Sequence, residues 1–213
     1  MKTAKIISLL LLLLLCACGQ EDPNGSGYAS VNGELITEAE IDYFKSRYRA
    51  DIINEYAAKY SIRDFSDFWD KDFDGVTPAQ ALEKRALDEA VSAKIKLVMM
   101  RENGIYEDIS FRVLLEKAER FNAENANTSG VVGIRTVNMD SFYSYYVSTG
   151  EMELKNILAE GELKPSSEEL AAAAENAPTA SESSLISRIV SEKYDALIAE
   201  KISDTKIELL SGK

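Results

Sequence analysis

The chain has 213 residues, 46% of them hydrophobic, and carries Asp+Glu 36 against Lys+Arg 24, a net charge of −12. So acidic a surface argues against nucleic acid and against charge-driven binding to anionic lipid. There is no histidine, which excludes Ser-His-Asp and Cys-His catalysis and most zinc sites.

Lys2 and Lys5 precede the run Ile6 to Leu15, in which Ser8 is the only polar residue. The run is too short for a comfortable membrane span, which takes ~20 apolar residues, and reads as a signal peptide over 1–17. Leu15-Cys16-Ala17-Cys18-Gly19 then fits a bacterial lipobox at Cys18, with an aliphatic residue three before it and a small one directly before it. Cys16 fails the second demand because Leu15 precedes it. The expectation is cleavage before Cys18, diacylglycerol on its thiol, and an extracytoplasmic protein lipid-anchored to the bacterial membrane. Both cysteines fall at or before that cut, so no intrachain disulfide is expected. No other cofactor is implied.

Residues 18–28 read as a tether containing Glu-Asp-Pro-Asn-Gly-Ser-Gly. Asn32-Gly33, between Val31 and Leu35-Ile36, predicts a small hairpin with a type I′ turn. Thr37-Glu-Ala-Glu40 reads as a capping box opening a helix with the stripe Ile41, Phe44, Tyr48, Ile52, Tyr56. A connector over 61–76 holds Phe65, Phe68, Trp69 and Phe73, and Thr77-Pro78-Ala79-Gln80 restarts a helix. Its stripe is Leu87, Val91, Ile95, Val98, and Asn103-Gly104 stops it.

A third helix is predicted over about 107–125 with Phe111, Leu114, Leu115, Ala118 and Phe121 inward. A loop follows over 122–133, then a fourth helix over about 139–160, disturbed at Ser148-Thr-Gly150. Ser166 and Glu169 bracket a short fifth helix, and 176–184 reads as a small-residue linker. The last helix carries Ile186, Ile189, Val190, Tyr194, Leu197, Ile198 and Ile202, and Lys206-Ile-Glu-Leu-Leu210 ends the chain as a strand. A lone strand leaves its backbone unsatisfied, and the nearest partner is the hairpin near Val31–Ile36. The fold class is therefore mostly α, with a small β element pairing the N-terminal hairpin with the C-terminal strand, and residues 29–213 forming one helical domain from both chain ends.

Ala29-Ser-Val-Asn-Gly-Glu-Leu-Ile-Thr-Glu-Ala-Glu40 resembles the opening of PrsA/SurA-type foldases, extracytoplasmic chaperones of the trigger factor/SurA superfamily. The stretch Asp67 to Pro78 with the helix after it resembles lipoproteins identified as peptidyl-prolyl isomerases in Gram-positive bacteria, and the ending Glu192-Lys-Tyr-Asp-Ala-Leu-Ile198 with Lys206-Ile-Glu208 resembles the closing helix and strand of the foldase family. That resemblance implies a SurA N-terminal-like helical domain. In full-length relatives a parvulin isomerase domain of about 100 residues lies between a Pro-Ser/Thr-Glu-Glu-Glu-Leu helix and the closing helix. Here about fifteen residues separate Pro165-Ser-Ser-Glu-Glu-Leu170 from Leu185, and the paired histidines of that domain have no counterpart. The implied protein is a membrane-anchored holdase for unfolded secreted polypeptides, without isomerase activity. The alternatives are a peptidyl-prolyl isomerase and a lipoprotein with one dedicated protein partner.

Holding unfolded clients requires adaptable apolar surface, for which Met99, Met100, Phe142, Tyr143, Tyr145 and Tyr146 are the candidates. The competing role for these residues is core packing. Asp70-Lys-Asp72-Phe-Asp74-Gly75 matches the first half of a calcium loop, but the position of the bidentate glutamate is Ala81, and Glu83 lies two residues too late. The plainer reading is an acidic loop whose Asp74 faces the positive end of the helix starting at Pro78. Asn127-Thr-Ser129 matches a glycosylation acceptor, read as a chance match. No spacing selects a glycosidase-type carboxylate pair.

Overall fold

A computed structural model describes residues 25–126 and 136–210. The signal peptide, Cys18, most of the tether and Asn127–Ser129 lie outside the described residues.

The order is β1 (Gly27–Val31), β2 (Glu34–Thr37), α1 (Glu38–Tyr60), α2 (Pro78–Glu102), α3 (Phe111–Ala126), α4 (Met139–Ala159), α5 (Ser167–Asn176), α6 (Glu182–Ser203) and β3 (Ile207–Leu209). The strands form one sheet in the order β2-β1-β3, antiparallel throughout. Asn32 and Gly33 both take positive φ, 51° and 90°, as a type I′ turn requires. The tail strand joins the hairpin as expected: Ala29 faces Leu209, Ser30 faces Glu208, and Val31 faces Ile207. The Leu210 amide donates to the Tyr28 carbonyl and the Asn32 amide to the Lys206 carbonyl, at 2.8 and 3.0 Å, which closes both ends of the ladder. The tether is shorter than expected. Gly27 and Tyr28 already belong to β1, and the buried Tyr28 hydroxyl donates to Glu83 at 2.7 Å.

Local signals set most helix ends. Thr77 and Ser166 each accept from the amide three residues on, and Gln80 and Glu169 reach back to the cap amides, so both capping boxes are complete. Thr37 caps α1, but Glu40 does not reach back, because its carboxylate turns into the core. The third helix starts later than predicted. Asp108 draws the Ser110 amide into a local turn at 2.8 Å, and helix begins at Phe111. The last helix starts earlier, since Ser181 caps it inside the segment read as linker. The fourth helix runs unbroken through Gly150. A Cβ there would lie 2.7 Å from Met100 Sδ and from the Tyr106 ring, so the missing side chain admits close packing of α4 on α2 and the loop after it.

One main core gathers residues of the sheet and of α1, α2, α3, α4 and α6, with Tyr194, Ile36, Ile41, Leu97, Met100, Leu114 and Leu154 fully buried. A separate small cluster joins Ala173 of α5 to Leu185 and Ile189 of α6, with Leu170 and Ala177 beside it. No helix of the described residues is long and apolar enough to cross a membrane.

Candidate functional site

Five of the six residues expected on a client-binding surface are core residues. Met99 and Met100 are buried, Met100 completely, because α2 packs against α1, α4, α6 and the hairpin and has little free face. Phe142, Tyr143 and Tyr146 are also buried, each against a different neighbour. Phe142 meets Phe121 of α3, and Tyr143 meets Tyr43 and Phe44 of α1. Tyr146 stacks on Tyr106 with ring centroids 4.1 Å apart. Lys117 Nζ sits over both rings of that stack and donates to the Tyr146 hydroxyl at 2.9 Å, while the Tyr106 hydroxyl donates to the Tyr146 carbonyl. Burial pushes the Tyr106 and Tyr146 hydroxyls up to about 12, so both stay neutral near pH 7. Only Tyr145 is on the surface, 66% exposed.

The aspartates of the calcium-like loop do not converge. Asp72 accepts from the Gly75 amide at 2.9 Å. Asp74 accepts from the Tyr60 hydroxyl at 2.7 Å and lies 3.5 Å from Lys59, contacts that hold its carboxyl below the usual range. Among the described residues no three acidic or thiol side chains come together as a metal site. The loop's aromatic neighbours do cluster. Tyr56, Tyr60, Phe68 and Phe73 pack edge to face or tilted, and the Arg49 guanidinium lies 4.1 Å from the Trp69 ring centre. Tyr56, Tyr60 and Phe73 line one side of a cleft of about 790 Å³ that also holds the ion pairs Lys59 with Asp74 and Lys84 with Asp88.

Sequence reasoning missed two features. The first is a buried ion pair: Lys94 Nζ lies 3.1 Å from Glu40, with both side chains almost fully enclosed. Neither Glu40 oxygen has a well-formed hydrogen bond, and the buried Tyr143 hydroxyl also lacks one. Burial raises the Glu40 carboxyl above its ordinary range, and Lys94 only partly offsets this. A signal for Lys94 was present, since it falls three residues after Val91 on the apolar stripe of α2. The second is a groove of about 550 Å³ at one end of the helical body. Its floor is Val31, Ile95, Val98, Met99 and Leu197, and its rim includes Glu34, Arg101, Glu102, Glu162, Glu200, Lys201 and Asp204. No local motif marks this groove, because its residues come from four separate segments: the hairpin, α2, the turn after α4, and the end of α6 with the residues after it.

The chain matches no family model. It is similar to the "Chaperone for lacto-N-biosidase" of Bifidobacterium longum subsp. longum, with 31% identity over 110 residues. That alignment covers 50% of this chain and 38% of the relative, so the chain spans about two-fifths of the relative's length. Over that half the chain resembles a protein named as a chaperone.

Proposed function

We propose that the chain is a non-catalytic extracytoplasmic chaperone of the PrsA/SurA type, lipid-anchored through Cys18, which holds unfolded secreted polypeptides. One observation carries the reading: β3 pairs with β1, so the two ends of the described chain build one sheet beneath a helical body. This is the arrangement that the resemblance of residues 29–40 and 192–208 implies. The distant likeness to a named chaperone supports the same class. With no histidine in the chain, parvulin-type isomerase chemistry has no basis in these residues. α5 and α6 are joined directly where a catalytic domain would be inserted.

A second reading has its own support. The relative's name specifies one enzyme as its client, and a chaperone of this kind here would serve one dedicated secreted partner. Light scattering of several unrelated denatured secreted proteins, diluted into buffer with the chain, separates the two. A general holdase lowers scattering for most of them at near-equimolar ratio. A dedicated chaperone protects a single partner, which co-purifies from the secreting cell. No protection of any protein at several-fold molar excess, with no co-purifying partner, removes both readings.

A further inference from the structure

The groove at the end of the helical body combines an apolar floor with a carboxylate rim, and three helices end beside it. α2 ends at Glu102 and α6 at Ser203, both within or next to the lining. α4 ends at Ala159, and Glu162 in the turn that follows is part of the rim. Helix C-termini carry partial negative charge and are ordinarily matched with cations. Arg101 and Lys201 lie in the last turns of α2 and α6. Arg101, however, is held by Glu34 through two hydrogen bonds of 2.6 and 3.1 Å, so its charge is matched within the groove wall. Lys201 is then the remaining cation facing Glu102, Glu162, Glu200 and Asp204, all of them exposed. Among the described residues none of these four carboxylates belongs to an ion pair, and no set of three converges as a metal site. The volume suits a few side chains rather than an ion. Half-buried Val98 and Leu197, with Val31 and Ile95 beneath, offer apolar contact.

We propose that this groove is the client-reading site and that it takes apolar polypeptide segments flanked by lysine or arginine. Apolar side chains occupy the Val98–Leu197 floor, and the flanking cations meet Glu102, Glu162, Glu200 and Asp204. The proposal rests on the chaperone reading and adds to it a site and a client chemistry. Charge complementarity at such a rim governs encounter rate and selectivity more than total affinity. The preference therefore weakens with added salt.

The test uses two fluorescent peptides sharing a central Leu/Val segment, one flanked by lysines and one by glutamates, titrated with the chain and followed by anisotropy. The triple variant Glu162→Lys/Glu200→Lys/Asp204→Lys alters exposed side chains only, and circular dichroism checks its fold. Asp51→Lys, an exposed change on α1 outside the groove, is the charge control. The expected result is that the chain prefers the lysine-flanked peptide. The triple variant should lose it by about tenfold or more and gain affinity for the glutamate-flanked one, while Asp51→Lys changes little. Equal binding of both peptides, or equal effects of triple and control variants, overturns the proposal. So does a concentration-dependent dimer that the triple variant abolishes, which would make a second copy the occupant. Aggregation suppression is measured alongside. Suppression undiminished in the triple variant overturns the groove and leaves the chaperone reading standing; no suppression and no binding of either peptide overturns both.

Discussion

The main core and the α5–α6 cluster are built from different materials. The main core interlocks large side chains from both ends of the chain, Tyr28 and Ile36 from the first strands, Tyr194 and Ile198 from the last helix. The α5 cluster rests on Ala173 against Leu185 and Ile189. Apolar burial stabilises roughly in proportion to area, so α5 is held much less firmly than α4 or α2. The lesson is that large interlocked side chains hold the body while the α5 segment rests on a small separate cluster, so α5 is expected to open without unfolding the rest.

The largest expected effect is in the main core, at the buried pair. Lys94→Met leaves the Glu40 carboxylate enclosed with neither a cation nor a hydrogen bond, and the expected loss is about 3–5 kcal/mol near pH 7. Burial already raises the Glu40 carboxyl above its ordinary value of 4.5, and losing Lys94 removes the main opposing influence. A group whose folded value is raised contributes most below its unfolded value and loses that contribution as pH rises through the folded one. Urea melts of the variant should therefore recover stability as pH is lowered from 7 toward 4.5. Glu34, lowered by its hydrogen bonds to Arg101, works in the opposite sense and loses its contribution only as pH falls below 4.5. A variant with flat stability between pH 7 and 5 would show that the pair is not buried as described. The double variant Glu40→Leu/Lys94→Met should recover most of the loss.

Leu154→Ala, in the fully buried part of α4, should lower global stability by about 2–5 kcal/mol in the same melts. Gly150→Ala comes next. Its Cβ would strike Met100 Sδ and Tyr106 at 2.7 Å, and the expected loss is about 1–3 kcal/mol. An alanine that stabilised the helix instead would mean α4 does not approach α2 this closely. The smallest expected effect lies in the α5 cluster. Leu185→Ala should speed hydrogen exchange across α5 and shift global stability by less than about 1 kcal/mol. A loss matching that of Leu154→Ala would merge the two regions into one cooperative unit.

Sequence legibility divides along similar lines. Thr77, Ser166 and the Asn32-Gly33 turn were readable because each acts on a backbone within three residues of itself. The β1–β3 pairing was readable because a strand must find a partner for its amides and carbonyls. The fate of α4 was not. Reading Phe142, Tyr143, Tyr145 and Tyr146 as surface assumed that a helix has one buried face. α4 has neighbours on several sides, and α1, α3 and the Tyr106 loop each absorb one ring. Met99 and Met100 on central α2 follow the same rule. Glu40 looked like a reciprocal cap because its competitor, Lys94, is 54 positions away in sequence. The acid-rimmed groove was hidden for a related reason, since helix ends far apart in the chain assemble it.

The most direct functional test is the refolding of an unrelated secreted protein whose slow phase is limited by proline isomerisation, followed by light scattering and intrinsic fluorescence in the same cuvette. The expected result is reduced scattering in the presence of the chain, with the rate of the slow phase unchanged. Acceleration of the slow phase, or scattering undiminished at several-fold molar excess, would contradict a non-catalytic holdase.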